Sequence, residues 1–396
     1  MSAWGLRDFR LLWGGRAVSL LGSWLLVVAV PAHVYAVTGS VVATGLALAA
    51  EHLPALLLGV WAGMVVDRWD RRRVMVVADL VRAGAVAGMV VGTPAAIYAA
   101  VVVESAGAVA FRPAAQAFVP AVVGVGERLT SANSWNAATD GVVRLVGPPL
   151  GGVLLLWAGF EALVVVDVAS YLVSAGAIAL TRARSVAEAA KPGLREGIRV
   201  LAGVPVARVL LPLSGVFLAA NASLSAVLVP FGVRELGGAA QVGVVLSALG
   251  IGFLAGAVVN RWVGRVQPRT VLAVAQLGVA AGFVGLFTAG GTVGAAGAAV
   301  VVGVCGSVAL VVPQTVLQRV VPNGFLGRIG AVFLVVEAFA TVVGAVAGPL
   351  IAEGTSVRTA AFVAAGVTAA GAVAGAVATP RVMLPANGQT IRKVAR

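Results

Sequence analysis

The sequence predicts an all-α membrane protein in which twelve transmembrane helices form two pseudo-symmetric six-helix bundles. Three observations support this fold class. The 396 residues are 60% hydrophobic and only 11% charged, with a mean hydropathy of +1.03, which leaves too little polar surface to cover a globule in water. The apolar residues form runs of about 20 residues, the length that a bilayer core requires of a spanning helix. Basic residues gather in alternate gaps between those runs.

Turn and charge signals divide the apolar runs into spans. The first run is interpreted as an uncleaved span rather than a signal peptide, because it is long and many similar runs follow it. The predicted spans cover residues 11–37, 43–66, 74–92, 95–119, 131–156, 162–181, 209–231, 240–259, 270–289, 292–316, 330–352 and 358–379.

Basic residues orient these spans in the membrane. They precede span 1, follow every even-numbered span and end the chain, whereas the alternate gaps contain only Arg234 and Arg358. Arg and Lys collect in cytoplasmic loops, so both termini are predicted to be cytoplasmic and the number of spans to be even. The net charge of +13 is interpreted as this loop signal, in a multi-pass protein of the inner membrane whose partner is the lipid bilayer and not nucleic acid.

The two halves of the sequence repeat. Gly63 and Asp67 reappear 193 positions later as Gly256 and Asn260, and the Gly-Pro pair at 147–148 returns at 348–349. Each pair falls in the same span of its half, which predicts two parallel bundles that could rock about a site between them. The predicted domains are an N-terminal bundle at 1–181, a cytoplasmic linker at 182–206, a C-terminal bundle at 207–380 and a cytoplasmic basic tail at 381–396.

No cofactor or metal site is predicted. The single cysteine, Cys305, cannot form an internal disulfide, and two histidines are too few for a Cys/His metal set. A glycine-rich stretch at 250–255 fits a dinucleotide fingerprint in its letters, but no strand precedes it. Gly252 and Gly256 are predicted instead to let two helices pack closely. The sequence therefore favours a carrier of small molecules over an enzyme. Because both bundles lie in one chain, a monomer is predicted to be sufficient for transport.

The loop between spans 2 and 3 resembles a signature of the major facilitator superfamily, and the resemblance extends over essentially the whole chain. Asp70 stands where the signature usually has a glycine. The resemblance implies that the loop latches the cytoplasmic side of the carrier in its outward-facing state; the alternative is a topology signal alone. The residues that fill the signature are Gly63, Asp67, Arg68, Arg71 and Arg72.

The start of the chain and span 5 resemble the branch of bacterial drug and siderophore exporters. Span 5 is similar to a fifth-helix motif that antiporters of the superfamily share, and the residues that match are Gly147, Pro148, Gly151 and Gly152. The fourth-helix antiporter motif is incomplete, because Arg112 is followed by Pro113 and Gln116 without the usual glycine. The resemblance implies export of amphipathic organic compounds by proton antiport with alternating access.

Ionisable residues within spans are costly and are therefore functional candidates. A proton carrier needs a carboxyl group that binds a proton when it is exposed to one side of the membrane and releases it when it is exposed to the other. Glu51, Glu104 and Glu337 are the preferred candidates, because none has an obvious basic partner in its own span. A structural hydrogen bond to a neighbouring helix is the alternative for each.

Asp140 is a further proton-coupling candidate, although it is expected to be neutralised. It precedes Arg144 by four residues in span 5, the favourable order for a helical ion pair, and Arg112 could compete for it. Asp79 and Arg82 are expected near the cytoplasmic face, where they would support the loop. Candidates for the substrate cavity, chosen by depth and with ordinary packing as the alternative, are Trp24, Asn136, Arg144, Phe217, Asn221 and Gln314.

Two other functions remain open at the level of sequence. One is an uptake symporter or uniporter for a small polar solute, which would favour a cavity richer in paired polar groups. The other is a membrane protein that moves lipid, or only binds partners, without proton coupling. If the protein functioned without the side chains of Glu51, Glu104 and Glu337, the alternative without proton coupling would be favoured.

Overall fold

The computed structural model describes residues 3–66, 69–124, 126–183, 205–263, 266–320 and 326–378. These residues form eleven α-helices, and each is long and apolar enough to cross a membrane. In chain order they are α1 (Arg7–Thr38), α2 (Val41–Val66), α3 (Arg71–Ala87), α4 (Pro94–Val123), α5 (Glu127–Ala179), α6 (Pro205–Glu235), α7 (Ala239–Val263), α8 (Pro268–Thr288), α9 (Thr292–Val320), α10 (Leu326–Gly354) and α11 (Val357–Ala378).

The predicted spans 5 and 6 lie on the single helix α5. It has 53 residues, which at 1.5 Å per residue would reach about 80 Å, far beyond a bilayer core of about 30 Å. The helix is broken at Gly159, whose φ of 80° and ψ of 174° are not helical. This glycine falls in the predicted gap between the two spans. We call residues 127–158 and 160–179 the first and second arms of α5.

Capping residues lie at the ends of the first helices. Gly39 ends α1 in the left-handed conformation, with φ of 66°, and its N–H donates to Tyr35 O at 2.8 Å. Asp70 caps α3 by accepting from the backbone N–H of Arg72 at 2.9 Å, and Thr93 caps α4. Asp70, which replaces a usual glycine, therefore begins the next helix.

Contacts divide the chain into two compact units. The first unit consists of Met1–Pro192 and Ala226–Ser247, and the second of Gly193–Ser225 and Ala248–Arg396. The predicted domain boundaries stay a prediction, because 184–204 and 379–396, which include most of the linker and the tail, lie outside the described residues.

In the first unit, α1 packs along α5, and α4 packs on α2 and α3. Three apolar clusters lie in its described interior. One contains Leu25, Ile97 and Tyr171, another contains Phe9 and Phe118, and the third contains Val28 and Val242. The first two of these clusters surround the charged residues described below.

In the second unit, α8 packs on α9 and α11. The helices α7 and α9 meet at glycines, where a Cβ on Gly252 would come within 2.9 Å of the Cα of Gly303. A Cβ on Gly256 would come within 2.6 Å of the Cβ of Ser307. The prediction that Gly252 and Gly256 allow close helix packing is confirmed.

Candidate functional site

A buried arginine in the middle of α3 organises the polar interior of the first unit. Nη2 and Nε of Arg82 donate to Oε1 of Glu104 on α4, at 2.8 and 2.9 Å. Nη1 of Arg82 donates to Oδ1 of Asp79 at 3.3 Å. Arg82 is 9% exposed and Asp79 is 0% exposed. Hydrogen bonds between ionised groups are among the strongest in proteins, so these contacts tie α3 firmly to α4.

Tyr171 on the second arm of α5 completes this arrangement. Its hydroxyl accepts from Nη2 of Arg82 and donates to Oε1 of Glu104, both at 2.7 Å. Ser23 on α1 lies 2.8 Å from the same hydroxyl, and the guanidinium sits 4.2 Å from the centre of the tyrosine ring. Four helices thus meet at one guanidinium. We call Ser23, Asp79, Arg82, Glu104 and Tyr171, together with Asp167, the Arg82 cluster.

Asp167 is the sixth member and lies on the second arm of α5. It is 1% exposed, its Oδ1 accepts from the hydroxyl of Ser170 at 3.0 Å, and it is electrostatically coupled to Glu104, Arg82 and Asp79. Glycines make room for the cluster. A Cβ on Gly107 would come within 2.6 Å of Cγ of Arg82, and one on Gly22 within 2.9 Å of Cβ of Ser170.

Glu104 was expected to have no basic partner in its own span, with a hydrogen bond to a neighbouring helix as the alternative. Asp79 and Arg82 were expected near the cytoplasmic face, where they would support the loop. The structure instead joins Glu104 to Arg82, about 16 Å along α3 from its first residue. The partner was missed because it lies on a different helix, and because sequence fixes depth but not the direction in which a long side chain extends.

Asp140 forms a second, more exposed ion pair. Nη2 of Arg16 on α1 donates to both of its carboxylate oxygens, at 2.8 and 3.0 Å, and Nη1 of Arg16 donates to Oδ1 of Asn136 at 3.5 Å. The expected partner, Arg144, lies over the ring of Trp24 at 5.4 Å. The expectation of a neutralised Asp140 is confirmed, but its partner was wrong. An i,i+4 pair is worth only about 0.2–0.5 kcal/mol, too little to decide the partner against the packing of neighbouring helices.

The other two proton-coupling candidates, Glu51 and Glu337, are exposed. Glu51 lies within electrostatic reach of Glu104 and Arg112, so it belongs to the surroundings of the Arg82 cluster. The structure gives Glu337 no such relation, and its role stays a prediction.

The remaining cavity candidates differ in their burial. Trp24, Asn136 and Asn221 are half-buried, and Gln314 is exposed. Phe217 is 4% exposed, which favours the alternative of ordinary packing for this residue.

The described arginines of the basic loop donate hydrogen bonds to helices of the first unit. Gly63 lies in α2, whereas Asp67 and Arg68 lie outside the described residues. Nη1 of Arg71 donates to Ala117 O on α4 at 3.1 Å, and Nη2 of Arg72 donates to Ala179 O at the end of α5. Basic side chains favour helix C-termini, so Arg72 stabilises the end of α5, while Arg71 links α3 to the C-terminal half of α4.

The glycines and prolines of α5 lie at its closest packing contacts. A Cβ on Gly147 would come within 2.6 Å of Cβ of Trp24, and one on Gly151 within 2.9 Å of Cα of Leu25, both on α1. On another side, a Cβ on Gly152 would come within 2.7 Å of Ala239 O. The motif thus allows α5 to approach α1 and the segment 226–247 at backbone distance.

A hydrogen bond compensates for one of these prolines. Pro149 has no N–H, so the carbonyl of Leu145 loses its helical donor. The hydroxyl of Ser247 on α7 donates to that carbonyl at 2.6 Å. A Cβ on Gly243, one turn away, would come within 2.6 Å of Cα of Pro149. Nothing in the sequence linked Ser247 to Pro149, because only the fold brings them together.

The described part of the second unit repeats the glycine contacts between helices, and the polar side chains buried there are neutral. Cβ atoms on Gly344 and Gly348 of α10 would come within 3.0 Å of Cα of Ala219 and 2.9 Å of Cα of Ser223, both on α6. Asn260, the counterpart of Asp67, donates from Nδ2 to Oγ of Ser307 at 3.5 Å.

Sequence reasoning missed Tyr171, Ser23 and Ser247, and it left Asp167 unused. Asp167 carried a signal, as an acidic residue inside a span. Tyr171 is one of three tyrosines in the chain, but its partners are 67 and 89 residues away in sequence. Hydroxyl groups are common in membrane helices, so no local pattern singles these out.

Comparison with protein families decides the class of the protein. The family model described as the Major Facilitator Superfamily matches residues 12–340. The chain belongs to the major facilitator superfamily. It is therefore a multi-pass membrane protein of transport, and not an enzyme, and the resemblance in its signature loop is confirmed.

Curated relatives of this superfamily member are efflux proteins. It is 28% identical over 185 residues to macrolide efflux protein A of Streptococcus pyogenes, a match that covers 45% of each chain. It is 30% identical over 207 residues to the multidrug efflux pump Tap of Mycolicibacterium fortuitum, covering 48% of this chain and 51% of Tap. The matches therefore span about half the length of these relatives, and they agree with the drug-exporter branch.

Solved structures support the fold alone. A bacterial homologue of the iron transporter ferroportin, in an inward-facing state, aligns with a TM-score of 0.76 at 18% identity, over 95% of this chain and 99% of that one. The nucleoside transporter NupG aligns with a TM-score of 0.77 at 13% identity, over 94% and 98%. At these identities the shared feature is the all-helical architecture.

Proposed function

We propose that this superfamily member is a secondary active transporter that exports amphipathic organic compounds, drugs or siderophore-like molecules, by proton antiport with alternating access. The observation that carries the proposal is the similarity to two efflux proteins over about half of the chain. The apolar character of the spans supports amphipathic substrates over small polar ones.

The proposed topology is twelve spans in the inner membrane with both termini in the cytoplasm, acting as a monomer. Two features support it. If each arm of α5, on either side of Gly159, crosses the membrane once, the eleven helices supply twelve spans. The concentration of basic residues in alternate gaps supports a cytoplasmic position for those gaps and for both termini.

Protons are the proposed coupling ion because carboxyl groups lie within the spans of the first half. Intramembrane carboxyl groups are costly and rare, and those that occur commonly belong to substrate, ion or proton pathways. Here Glu104 and Asp140 are each held by an arginine, and Glu51 lies near the first of them. The loop signature, with Asp67 at its centre, is the proposed cytoplasmic latch.

The deciding experiment uses the purified full chain in liposomes with an imposed pH gradient. A pH dye in the lumen reports proton movement while macrolides, lipophilic cations and siderophore-like anions are added in turn. Proton movement triggered by a substrate, and absent from protein-free liposomes, supports antiport. Substrate movement without proton movement contradicts antiport and favours a facilitator. No movement of any compound in the panel contradicts the proposed substrate class and directs the search to lipids.

A further inference from the structure

Arg144 lies near the middle of the first arm of α5. It is about 26 Å along the helix from Glu127 and about 22 Å before the break at Gly159. Its guanidinium carbon lies 5.4 Å from the centre of the Trp24 ring on α1. In the part of the chain that the structure describes, this ring is its partner, and no carboxylate or hydrogen-bond acceptor joins it. Charged side chains at such depth are costly, and those that occur commonly lie on substrate or ion pathways.

Arg144 is exposed on a side of α5 that faces protein and not lipid. Exposed apolar side chains mark the lipid-facing side of a spanning helix. Between residues 140 and 158 they lie roughly 120–180° around the helix from Arg144, at Val142, Val146, Leu150, Val153, Leu156 and Trp157. Nearer to Arg144 around the helix are Gly151, which approaches α1, and Gly152, which approaches α7. Arg144 thus lies between the two faces of α5 that pack on other helices.

The ring of Trp24 borders the same side of the first unit. Trp24 is half-buried, whereas Val28, one turn further along α1, is 0% exposed. Val28 belongs with Val229 of α6 and Val242 of α7 to one apolar cluster. Residues four apart share one face of a helix, so Trp24 faces the same way as Val28, where the cover of α6 and α7 ends. Arg144 and Trp24 are therefore accessible from within the first unit, near the middle of their spans.

The charges around Arg144 favour an anion as its ligand. The acidic residue nearest to it along α5 is Asp140, one turn away, and both oxygens of Asp140 accept from Arg16, at 2.8 and 3.0 Å. The charge of Asp140 is thus compensated, and that of Arg144 is not. The five N–H donors of a guanidinium lie in its plane, so contact with a ring leaves them available, and a carboxylate accepts two of them at once.

We propose that Arg144 and Trp24 bind the exported compound, and that this compound is an amphipathic organic anion with a carboxylate or a similar acidic group. This rests on the export proposed above and narrows its substrate class. The guanidinium of Arg144 donates two N–H bonds to the acidic group, while the ring of Trp24 contacts the apolar part of the molecule. A lipid phosphate is less suited to this site, because it lies about 15 Å from the middle of a bilayer core about 30 Å thick.

Equilibrium binding to the purified full chain in phosphatidylcholine nanodiscs tests the site without transport. Three fluorescent probes share one body and differ in charge: dansylphenylalanine, an anion; its carboxamide, which is neutral; and its 2-aminoethyl amide, a cation. We expect the anion to bind about tenfold or more tightly than the other two, as hydrogen bonds to a charged group would give. Protein-free nanodiscs correct for partition into lipid. Absence of binding, equal binding of the three probes, or preference for the cation would overturn the proposal.

Variants assign the preference to particular side chains. Arg144→Gln should weaken binding of the anion about tenfold or more and leave binding of the neutral probe unchanged. It removes a costly charge from a span, so folding and insertion are expected to be retained. Arg10→Gln is the matched control, since it removes the same charge from an exposed position on α1, about 21 Å along the helix from Trp24. Trp24→Leu should weaken the anion and the neutral probe alike, because it removes ring contact and not charge.

A structural role and a lipid site predict different results. If Arg144 only braces α5 against α1, Arg144→Gln lowers the unfolding temperature and leaves the order of the three probes unchanged, which would overturn the proposal. Displacement of the anion by added phosphatidylglycerol would assign the site to lipid and overturn it too. If Arg144→Gln does not fold, the order of the probes in the natural protein decides by itself.

Transport of the same probes by the full chain in liposomes separates this site from the proposed function. Movement of the anion, reduced in Arg144→Gln and not in Arg10→Gln, supports both. Movement of the cation alone would overturn the anionic substrate class and leave export standing. If no probe moves, but the preference for the anion is present and is lost in Arg144→Gln, the anion site stands and the proposed export is contradicted.

Discussion

The two units share a way of packing helices but differ in what they bury. In both, glycines bring two helices to backbone distance: Gly151 meets Leu25 in the first unit, and Gly348 meets Ser223 in the second. The first unit buries the charged residues Asp79, Arg82 and Asp167. In the described part of the second, the buried polar side chains are neutral, namely Ser223, Gln276, Ser307 and Thr368. Among the described residues, both units thus contain glycine contacts between helices, whereas the buried charged side chains lie in the first unit.

The difference separates scaffold from chemistry. Small residues let membrane helices pack closely, so both halves of a repeated chain can contain the same kind of helix contact. A buried charge is tolerated only where all of its partners are present together, because a single unpaired buried ion is strongly destabilising. The four helices around Arg82 satisfy that condition together. Variants that disturb one unit or both can therefore test whether the halves have diverged in this way.

The largest effect is expected from Arg82→Met. Removal of the guanidinium leaves Glu104 and Asp79 without their counter-charge, which costs about 3–5 kcal/mol for a buried pair. Arg16→Met is the matched control, since the Arg16–Asp140 pair is 27% and 37% exposed and such a pair contributes about 0–1 kcal/mol. Thermal unfolding of the detergent-solubilised proteins measures both. Equal losses would show that the Arg82 cluster is not energetically distinct.

A shared scaffold predicts matched losses from glycines in the two units. Gly151→Ala and Gly344→Ala each place a methyl group against the backbone of a neighbouring helix and should cost about 1–3 kcal/mol. At Gly176, also within a helix, the space is open, so Gly176→Ala should be neutral or stabilising by about 0.4–1 kcal/mol. Unfolding midpoints compare all three. A loss confined to one unit would contradict a scaffold common to both.

The two copies of the loop signature should differ in function. We expect Asp67→Asn to reduce transport about tenfold or more, equivalent to about 1.4 kcal/mol, while expression and membrane insertion remain near normal. Asn260→Ala removes only a long hydrogen bond to Ser307 and should leave turnover nearly unchanged. Transport rates in liposomes, normalised to inserted protein, provide the measurement. Unchanged turnover in Asp67→Asn would reduce the loop to a topology signal.

The smallest effect is expected at the proline contact of α5. Ser247→Ala leaves the carbonyl of Leu145 without its donor and should cost about 0.6 kcal/mol, the mean for hydrogen bonds between membrane helices. In a Pro149→Ala background the helix supplies its own N–H, so the same substitution should cost less. A double-mutant cycle of unfolding free energies measures this coupling. Additive effects would show that Ser247 does not compensate for the proline.

Much of the architecture could be predicted from the sequence. The break at Gly159 lies in the gap expected between spans 5 and 6, and the close packing of Gly252 and Gly256 was expected from their spacing. These features depend on the length of apolar runs and on small residues one turn apart. Both are local properties of the chain, so the sequence alone contains them.

The partners inside the bundle were decided by tertiary structure. Asp140 had a basic residue four positions away in Arg144, yet it pairs with Arg16, and Glu104 pairs with Arg82. An i,i+4 pair gains only a few tenths of a kcal/mol. The rotation of each helix and the identity of its neighbours therefore determine which charges meet. A sequence states where a charged side chain lies along its helix, whereas packing determines which way it faces and what it binds.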